Sequence, residues 1–376
     1  MSDQTASQDL DEDVPLLSPV AHKGVQSITP YVPGSSKGTT ITRHKLSSNE
    51  TPLGASPAAI EAYKAMADKL DVYPDGSARE LREAIADVHN LDAERIVCGC
   101  GSDELLSLIT LAFCQEGDEV IFTEHGFLVY RLAALNVNAT PVSVPEKNFT
   151  ADLDAILDHV TEQTKVVFLA NPNNPTGTYV SDADVRAFHA KLPAHVLLVL
   201  DGAYAEYVSR NDYESGLELA RTQPNVLTTR TFSKIGLANV RLGWAYGSFE
   251  VVDALNRVRG PFNVTGPSLA AGVAALRDED HMKRIVNHNS EWLTYVTEKF
   301  TQIGLSVTPS VANFVLIHFP DVDGKRAADA DSYLLDEGLV LRRVTAYGLP
   351  NALRMTIGSA EANKDVVAAL TTFMNA

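Results

Sequence analysis

The sequence predicts an α/β protein in which helices cover both faces of a mostly parallel sheet, followed by a smaller α+β domain. Residues 165–170 and 196–200 are almost wholly apolar instead of alternating, which is typical of strands that are buried on both faces. Helical stretches separate the predicted strands, as the crossover connections of a parallel sheet require. In folds of this class, ligands bind beyond the carboxyl ends of the strands.

The charge balance bears on the kind of partner. The chain has 376 residues, and 48 acidic against 31 basic side chains leave a formal charge of −17 at pH 7. A nucleic-acid binder needs a basic surface, so this balance argues against that class. The acidic stretch 2–13 lacks the basic start of a signal peptide, and the apolar run 105–114 is about half of the ~20 residues that span a membrane. We therefore expect a soluble, cytoplasmic protein with neither a membrane nor a nucleic acid as partner.

The cysteines do not predict a metal site. Cys98, Cys100 and Cys114 are too few for a disulfide scaffold. A structural zinc site needs four ligands, and no further ligands stand near Cys98 and Cys100 to complete one. For Cys98 and Cys100 we expect buried thiols at the end of a strand, and we expect no metal.

Cap residues and apolar patterns predict the elements of the large domain in order. Ser56 and Pro57 are typical of an N-cap and a first helical position, and they predict a helix over 57–70. Ser102 opens another helix, 102–114. The other predicted helices are 78–89, 127–135, 153–159 and 182–191. The predicted strands are 95–98, 119–122, 140–144, 165–170, 196–200 and 225–231.

From about Gly266 the pattern changes to two long predicted helices, 267–276 and 280–302. Short strands are predicted at 314–318, 339–343 and 353–357, and a last helix from 361 to the C-terminus. We therefore expect a flexible acidic tail (1–25), an N-terminal arm (26–47), a large domain (48–265) and a small C-terminal domain (266–376).

A glycine-rich turn, CGCGSDE at 98–104, lies between a predicted strand and a predicted helix. Its backbone N–H groups and the positive end of the helix dipole favour an anion. Glu104 stands where the dinucleotide-binding motif has its third glycine, and no Gly-Lys-Ser/Thr follows as in a P-loop. The turn predicts a site for a single phosphate, with an ordinary strand-to-helix turn as the alternative.

Polar residues also follow three other predicted strands. Two prolines and a glycine fix the loop 171–177 (NPNNPTG) and hold its asparagines in place. Asp201 and Tyr204 come directly after an apolar strand, where a buried carboxylate needs a partner. Lys234 follows the strand 225–231, and Arg241 comes soon after. Each segment alone also fits a rigid turn or a solvated surface, but their order at successive strand ends predicts one shared site.

In this order the motifs resemble the fold type I enzymes that use pyridoxal 5′-phosphate (PLP), the aspartate aminotransferase superfamily. The resemblance runs from about Gly24 to the C-terminus, and within the superfamily the sequence is most similar to the histidinol-phosphate aminotransferases. The segments that carry it are KLSSNETPLG (45–54), VYPDG (72–76), GSDE (101–104), NPNNPTG (171–177), TFSK (231–234) and YGLPNALRMTIG (347–358).

The resemblance implies a cofactor role for each matching residue. Lys234 would bond covalently to the cofactor aldehyde and later move the substrate α-proton, for which a lysine of lowered pKa is suited. Asp201 would pair with the pyridinium nitrogen, which makes the ring an electron sink. Tyr204 and Asn174 would bind the phenolic oxygen, and Phe127 would stack on the ring. The phosphate would lie in a cup formed by Gly101, Ser102, Asp103, Thr231, Ser233 and Arg241.

The resemblance also implies how substrate is bound and how subunits assemble. Arg354 would hold a carboxylate or another anionic group, and Arg342, or Arg343 beside it, the substrate phosphate. Tyr31 in the N-terminal arm would close over the substrate, and Asn49 would contribute to its binding. In relatives a tyrosine that matches Tyr73 reaches the phosphate from the partner subunit, which implies a homodimer with shared active sites.

Two departures from the family pattern bear on these roles. Lys234 and Arg241 are seven positions apart, one fewer than is usual, so the loop is tighter or Arg241 approaches at another angle. Gly202 stands where relatives commonly have glutamate. We expect little functional consequence from that change, because the replaced residue takes no part in the ring chemistry.

The sequence therefore leads us to expect a PLP-dependent histidinol-phosphate:2-oxoglutarate aminotransferase of histidine biosynthesis. Such an enzyme transfers an amino group between histidinol phosphate and imidazole-acetol phosphate, with the 2-oxoglutarate/glutamate pair as 2-oxo acid acceptor and amino acid. An aromatic amino-acid aminotransferase for phenylalanine or tyrosine is the main alternative, because a pocket for a flat imidazole ring also fits a phenyl ring. Three further classes fit less well. Arg354 argues against a PLP-dependent decarboxylase or lyase, and Glu104 against a nicotinamide-binding oxidoreductase. Lys234 together with Asp201 argues against a non-catalytic binding module.

Overall fold

The computed structural model describes residues 19–31, 35–39 and 41–376. Most of the tail predicted at 1–25, and part of the arm predicted at 26–47, lie outside the described residues. The strands are β1 (His44–Lys45), β2 (Ile96–Gly99), β3 (Glu119–Thr123), β4 (Thr140–Val144), β5 (Glu146–Lys147), β6 (Thr150–Ala151), β7 (Thr164–Ala170), β8 (Leu197–Asp201), β9 (Val226–Thr231), β10 (Gly243–Tyr246), β11 (Ser306–Thr308), β12 (Phe314–His318), β13 (Leu339–Val340), β14 (Arg342–Arg343) and β15 (Ala352–Thr356). The α-helices are α1 (Lys23–Gln26), α2 (Pro57–Lys64), α3 (Arg79–His89), α4 (Ser102–Phe113), α5 (Val129–Leu135), α6 (Leu153–Asp158), α7 (Asp182–His189), α8 (Leu217–Thr222), α9 (Phe249–Val258), α10 (Gly266–Arg277), α11 (Glu279–Gln302), α12 (Ala327–Asp336) and α13 (Ala360–Asn375).

The large sheet has seven strands in the order β2-β10-β9-β8-β7-β3-β4. Five neighbouring strands, from β9 to β4 in this order, run parallel, whereas β10 is antiparallel to both β9 and β2. Val167 and Leu169 of β7 pack into the core on one face, and Val166 and Phe168 pack into the core on the other. Apolar side chains on both faces confirm the predicted fold class.

The register of the parallel strands determines where the site forms. Ala170 at the end of β7 lies beside Asp201 of β8, and Asp201 lies beside Thr229 of β9. Because these strands are parallel, the segments that follow them leave the same edge of the sheet. The polar motifs after β7, β8 and β9 therefore converge there.

A smaller antiparallel sheet, β11-β12-β15-β14, forms the C-terminal part with helices α11, α12 and α13. The N-terminal arm joins it through β1, which pairs with β13. Helix α10 packs instead against α2 and α3, and its Ala271 and Ala275 belong to a core of the large sheet. The division of the chain into a large and a small domain stays a prediction. The packing of α10 favours a domain boundary after this helix over the predicted boundary at 266.

Two predicted elements differ in the structure. The strand predicted at 339–343 is two short strands, because Leu339–Val340 pairs with β1 while Arg342–Arg343 pairs with β15. The helix predicted over 57–70 ends at Lys64, and a 3-10 turn at Ala67–Lys69 follows. No residue of that turn is buried, so tertiary packing does not stabilise a longer helix there. Within the described ranges, no helix combines the length and apolarity needed to cross a membrane.

Candidate active site

A cavity of about 640 Å³ opens at the carboxyl edge of the large sheet. Most of the site residues predicted from the sequence line this cavity: Tyr31, Ser102, Asp103, Phe127, Asn174, Asp201, Tyr204, Thr231, Ser233, Lys234 and Arg241. They come from segments that are far apart in the chain, so the sheet edge brings the separate motifs into one place.

Lys234 lies on the 3-10 turn Ser233–Ile235, just after β9. Its side chain lines the cavity, and Nζ is 5.6 Å from the centre of the Tyr204 ring. Burial, and second to it the positive charge of Arg354, lowers the pKa of Lys234 to about 8. About a tenth of this amine is therefore uncharged at pH 7, compared with far less for an ordinary lysine, and the uncharged form is the nucleophile.

Asp201 ends β8 and is only 5% exposed. Its Oδ2 accepts a hydrogen bond from the Tyr130 hydroxyl at 2.7 Å, and its Oδ1 accepts one from Thr229 at 3.1 Å. Burial raises the pKa of Asp201, while both hydrogen bonds oppose the rise. Sequence reasoning missed Tyr130, although its spacing of three residues from Phe127 on a predicted helix could have indicated a shared face.

The predicted phosphate cup lies at the start of α4. Gly101 is at the N-cap position with a φ of +83° and has no side chain that could accept from the first N–H groups of the helix. A Cβ at Gly101 would meet the guanidinium of Arg241, and the positive φ is strained for any other residue, so glycine both suits this backbone and leaves room for the arginine. The hydroxyls of Thr231 and Ser233, which bond each other at 3.0 Å, complete the cup.

Arg241 reaches this cup in spite of the shortened spacing to Lys234. Its backbone is left-handed, with a φ of 53°, directly after the 3-10 turn Ala238–Val240. The guanidinium forms an ion pair with Asp103 and donates to Ser233 Oγ at 3.4 Å. The tighter loop is thus accommodated by the backbone conformation at Arg241.

A buried hydrogen-bond network lies behind Asn174 and Tyr204, which line the cavity. Arg354 donates to the Asn174 side-chain oxygen and, at 2.8 Å, to the carbonyl of Ser47. Asn49 does not line the cavity but donates to the Tyr204 hydroxyl at 2.8 Å. Its position favours a role in orienting Tyr204 over the predicted direct contact with substrate.

The small sheet brings two arginines together. Arg342 of β14 and Arg354 of β15 are directly opposite each other, a position in which side chains share one face of the sheet. Burial lowers the pKa of Arg354, and the charge of Arg342 acts in the same direction. Arg343 is exposed and lies 3.9 Å from Asp331 in a surface ion pair. The geometry therefore favours Arg342 over Arg343 as the second anion-binding arginine.

Tyr73 does not lie at the cavity of its own chain. Its side chain is 82% exposed and stacks on the ring of Phe262, with 4.6 Å between the centroids. A role for Tyr73 in cofactor binding thus depends on a second subunit and stays a prediction.

His44 of β1 and Glu361 and Asp365 of α13 are potential metal ligands whose ligand atoms lie within 4.8 Å of one another. Arg43 forms an ion pair with Asp365, which fits a surface ion-pair network. The expectation that the protein uses no metal stays a prediction.

The donor set fits a flat ring that carries a phosphate at one end. The cup offers a helix N-terminus, two hydroxyls and a guanidinium for a phosphate. A carboxylate, Asp201, lies at the wall of the same cavity, Phe127 offers a flat apolar surface, and Lys234 offers an amine for a carbonyl group. The Nε atom of Arg354 is buried and has no hydrogen-bond partner within the described ranges, so this side chain retains a donor.

Residues 43–370 match the protein family described as aminotransferase class I and II. The chain belongs to this family. Two relatives of this aminotransferase are histidinol-phosphate aminotransferases. That of Maricaulis maris is 56% identical over 94% of this chain and 98% of its own. That of Rhodopseudomonas palustris is 55% identical over 95% of this chain and 98% of its own.

Solved structures agree on the fold of this aminotransferase. Histidinol-phosphate aminotransferase from Sinorhizobium meliloti, crystallised in complex with PLP, has a TM-score of 0.88 at 26% identity, over 96% of this chain and 99% of its own. A single mutant of Thermus thermophilus aspartate aminotransferase has a TM-score of 0.81 at 20% identity, over 95% of this chain and 100% of its own. The family and fold predicted from the sequence are confirmed.

Proposed function

We propose that this aminotransferase uses PLP to transfer an amino group between histidinol phosphate and 2-oxoglutarate, a reversible reaction, in histidine biosynthesis. The observation that carries the proposal is 55–56% identity over nearly the full length of two relatives with that name. PLP is supported by the family and by the fit of the cavity to a flat phosphorylated ring. A cytoplasmic location and a homodimer with shared sites belong to the same proposal.

The paired arginines support phosphorylated and dicarboxylic substrates. Arg342 and Arg354 face each other across β14 and β15, so two positive charges lie on one face of the small sheet, where they favour an anionic group of the substrate. Histidinol phosphate brings a phosphate, and glutamate brings a second carboxylate, so the amino donors of both directions of the proposed cycle supply such a group. A guanidinium binds either group through paired charge-assisted hydrogen bonds.

Each residue around the cavity has its own role in the proposed reaction. When bound, PLP supplies a ring that withdraws electrons from the substrate carbon that loses its proton. Lys234, with a pKa of about 8, can accept that proton and return it at another atom. Asp201 lies at the cavity wall, where it would pair with the ring nitrogen of the cofactor. Tyr204, whose hydroxyl accepts a hydrogen bond from Asn49, would present that hydroxyl to the cofactor. Tyr31 of the N-terminal arm also lines the cavity, where it would close over the bound substrate.

The proposal is tested by comparing kcat/KM for histidinol phosphate, phenylalanine and tyrosine in the wild type and in Arg342→Ala. We expect the wild type to prefer histidinol phosphate. Loss of a charge-assisted contact should lower kcat/KM for that substrate by about 10- to 100-fold in Arg342→Ala, with little effect on phenylalanine. Arg343→Ala, the matched control, should stay within about threefold, as a surface ion pair contributes little. Equal or better use of phenylalanine by the wild type would instead indicate an aromatic amino-acid aminotransferase.

A further inference from the structure

Two hydroxyl groups that the mechanism above does not use hold Asp201 from both sides. The Tyr130 hydroxyl donates to Oδ2 at 2.7 Å, and the Thr229 hydroxyl donates to Oδ1 at 3.1 Å. Both donors are essentially inaccessible, with Tyr130 1% and Thr229 0% exposed. Each oxygen of the carboxylate therefore has a fixed donor, which determines the orientation of the group.

Aromatic packing fixes the ring of Tyr130 in turn. It stacks on Phe168 with 4.8 Å between centroids and 8° between planes. It also meets Phe127 edge-on, at 6.0 Å and 89°. One side chain thus contacts both the acid of the site and the flat residue that lines the cavity, and it sets their relative placement.

We propose that Tyr130 is a positioning residue that keeps Asp201 ionised and aimed into the cavity at the ring nitrogen of the cofactor, with Thr229 as a second, weaker donor. The inference rests on the proposed use of PLP, and it does not depend on which amino donor the enzyme takes.

The charges around Asp201 show why hydroxyl donors are needed. Removal from water disfavours the ionised carboxylate, and hydrogen bonds to the ionised form favour it. The titratable groups that act on Asp201 are Tyr130, Tyr204, Tyr213 and Lys234. Lys234 is the cation among them, and it loses its charge as the pH rises through about 8. Burial raises the pKa of Tyr130 far above its usual value, so its hydroxyl remains a donor throughout the neutral range.

The experiment compares PLP binding by Tyr130→Phe and Thr229→Val with the wild type. Tyr246→Phe is the matched control, because it removes a hydroxyl from another buried tyrosine of the same sheet. The dissociation constant for PLP and the pH dependence of the visible absorption of the bound cofactor are measured, together with the thermal midpoint of the protein without PLP.

We expect Tyr130→Phe to weaken PLP binding about tenfold, as loss of a hydrogen bond to a charged group predicts. The change in visible absorption on the acid side should occur at a higher pH in this variant. Without the Tyr130 hydroxyl the ionised Asp201 loses a hydrogen bond, so its pKa is higher and it is protonated more easily. Thr229→Val should change both readouts in the same direction by less, and Tyr246→Phe neither.

A Tyr130→Phe protein with the PLP affinity and pH dependence of the wild type would overturn the inference, whatever its thermal midpoint. If Tyr130→Phe does not fold, Thr229→Val takes its place, and an unchanged PLP affinity and pH dependence in that variant would overturn the inference. A wild-type protein that binds no PLP would contradict the proposed function itself, which separates the two failures.

Discussion

The amine of Lys234 owes its reactivity to its location. Burial and the nearby guanidinium of Arg354 both disfavour the ammonium form, and the pKa of about 8 is the result. The protonated amine cannot attack a carbonyl group, so the fraction of reactive lysine rises as the pH increases through that value.

A prediction at the residue scale concerns the charge of Arg354. Because this charge lowers the pKa of Lys234, Arg354→Gln should raise that pKa and move half-maximal covalent loading of PLP to higher pH. Loading is measured by borohydride trapping and intact mass across the pH range. Arg343→Gln, which removes a charge at an exposed position of the same small domain, should leave the profile in place. A profile that shifts equally in both variants would show that net charge, not proximity to Lys234, sets the pKa.

At the scale of elements, the turn between β2 and α4 depends on Gly101. A methyl group there would meet Arg241 and Asp103, on a backbone of positive φ. Gly101→Ala should therefore weaken PLP binding at least tenfold, as displacing a charge-assisted contact predicts. Gly117→Ala is the matched control, since Gly117 also has a positive φ but no atom near the added methyl group. Both variants should lose about 1 kcal/mol or more of stability from backbone strain, and only Gly101→Ala should lose affinity.

A second element-scale prediction concerns the buried ion pair between β9 and the 3-10 turn after β8. Arg230 and Glu206 are 2.8 Å apart, and side-chain exposures of 5% and 17% leave little contact with solvent. Gly202 makes room for the arginine, because a Cβ there would lie 3.0 Å from Arg230 Cδ. The glycine that replaces the glutamate of relatives thus has a structural reason.

Removing one member of this pair should be costly. Glu206→Gln leaves a buried guanidinium unpaired, and we expect a loss of about 3 kcal/mol in the free energy of unfolding. Glu94→Gln breaks the pair with Arg82, in which the carboxylate is 72% exposed, and should cost less than about 1 kcal/mol. Urea unfolding of both variants measures the difference. Equal losses would mean that burial of the Arg230 charge is not what makes Glu206 important.

For the whole molecule, the exposed Tyr73 and Phe262 predict assembly. If Tyr73 completes the phosphate site of a partner subunit, the protein should sediment at about twice 40.6 kDa. Mixing Tyr73→Ala with Lys234→Ala should then restore activity, because each mixed dimer has one site with both native residues. No gain on mixing would place Tyr73 outside the catalytic site.

The sequence predicted the parallel sheet and the convergence of motifs because buried strands and strand-end residues leave local patterns. It did not predict β10, a strand of four residues that forms because β9 and β2 lie on either side of it. It also did not predict that residues 339–343 divide into two strands, because that division depends on pairing with two different strands, β1 and β15. Tyr130 and Glu206 were missed for a similar reason. A tyrosine or glutamate among ordinary helical or turn residues gains its role from contacts with Asp201 and Arg230, which are distant in the chain.

The most direct test is to reduce the PLP-loaded protein with borohydride and map the modified peptide by mass spectrometry. The account predicts the mass of the reduced cofactor on Lys234 alone, and no stable label in Lys234→Ala. A label on another lysine, or none on the wild type, would contradict it.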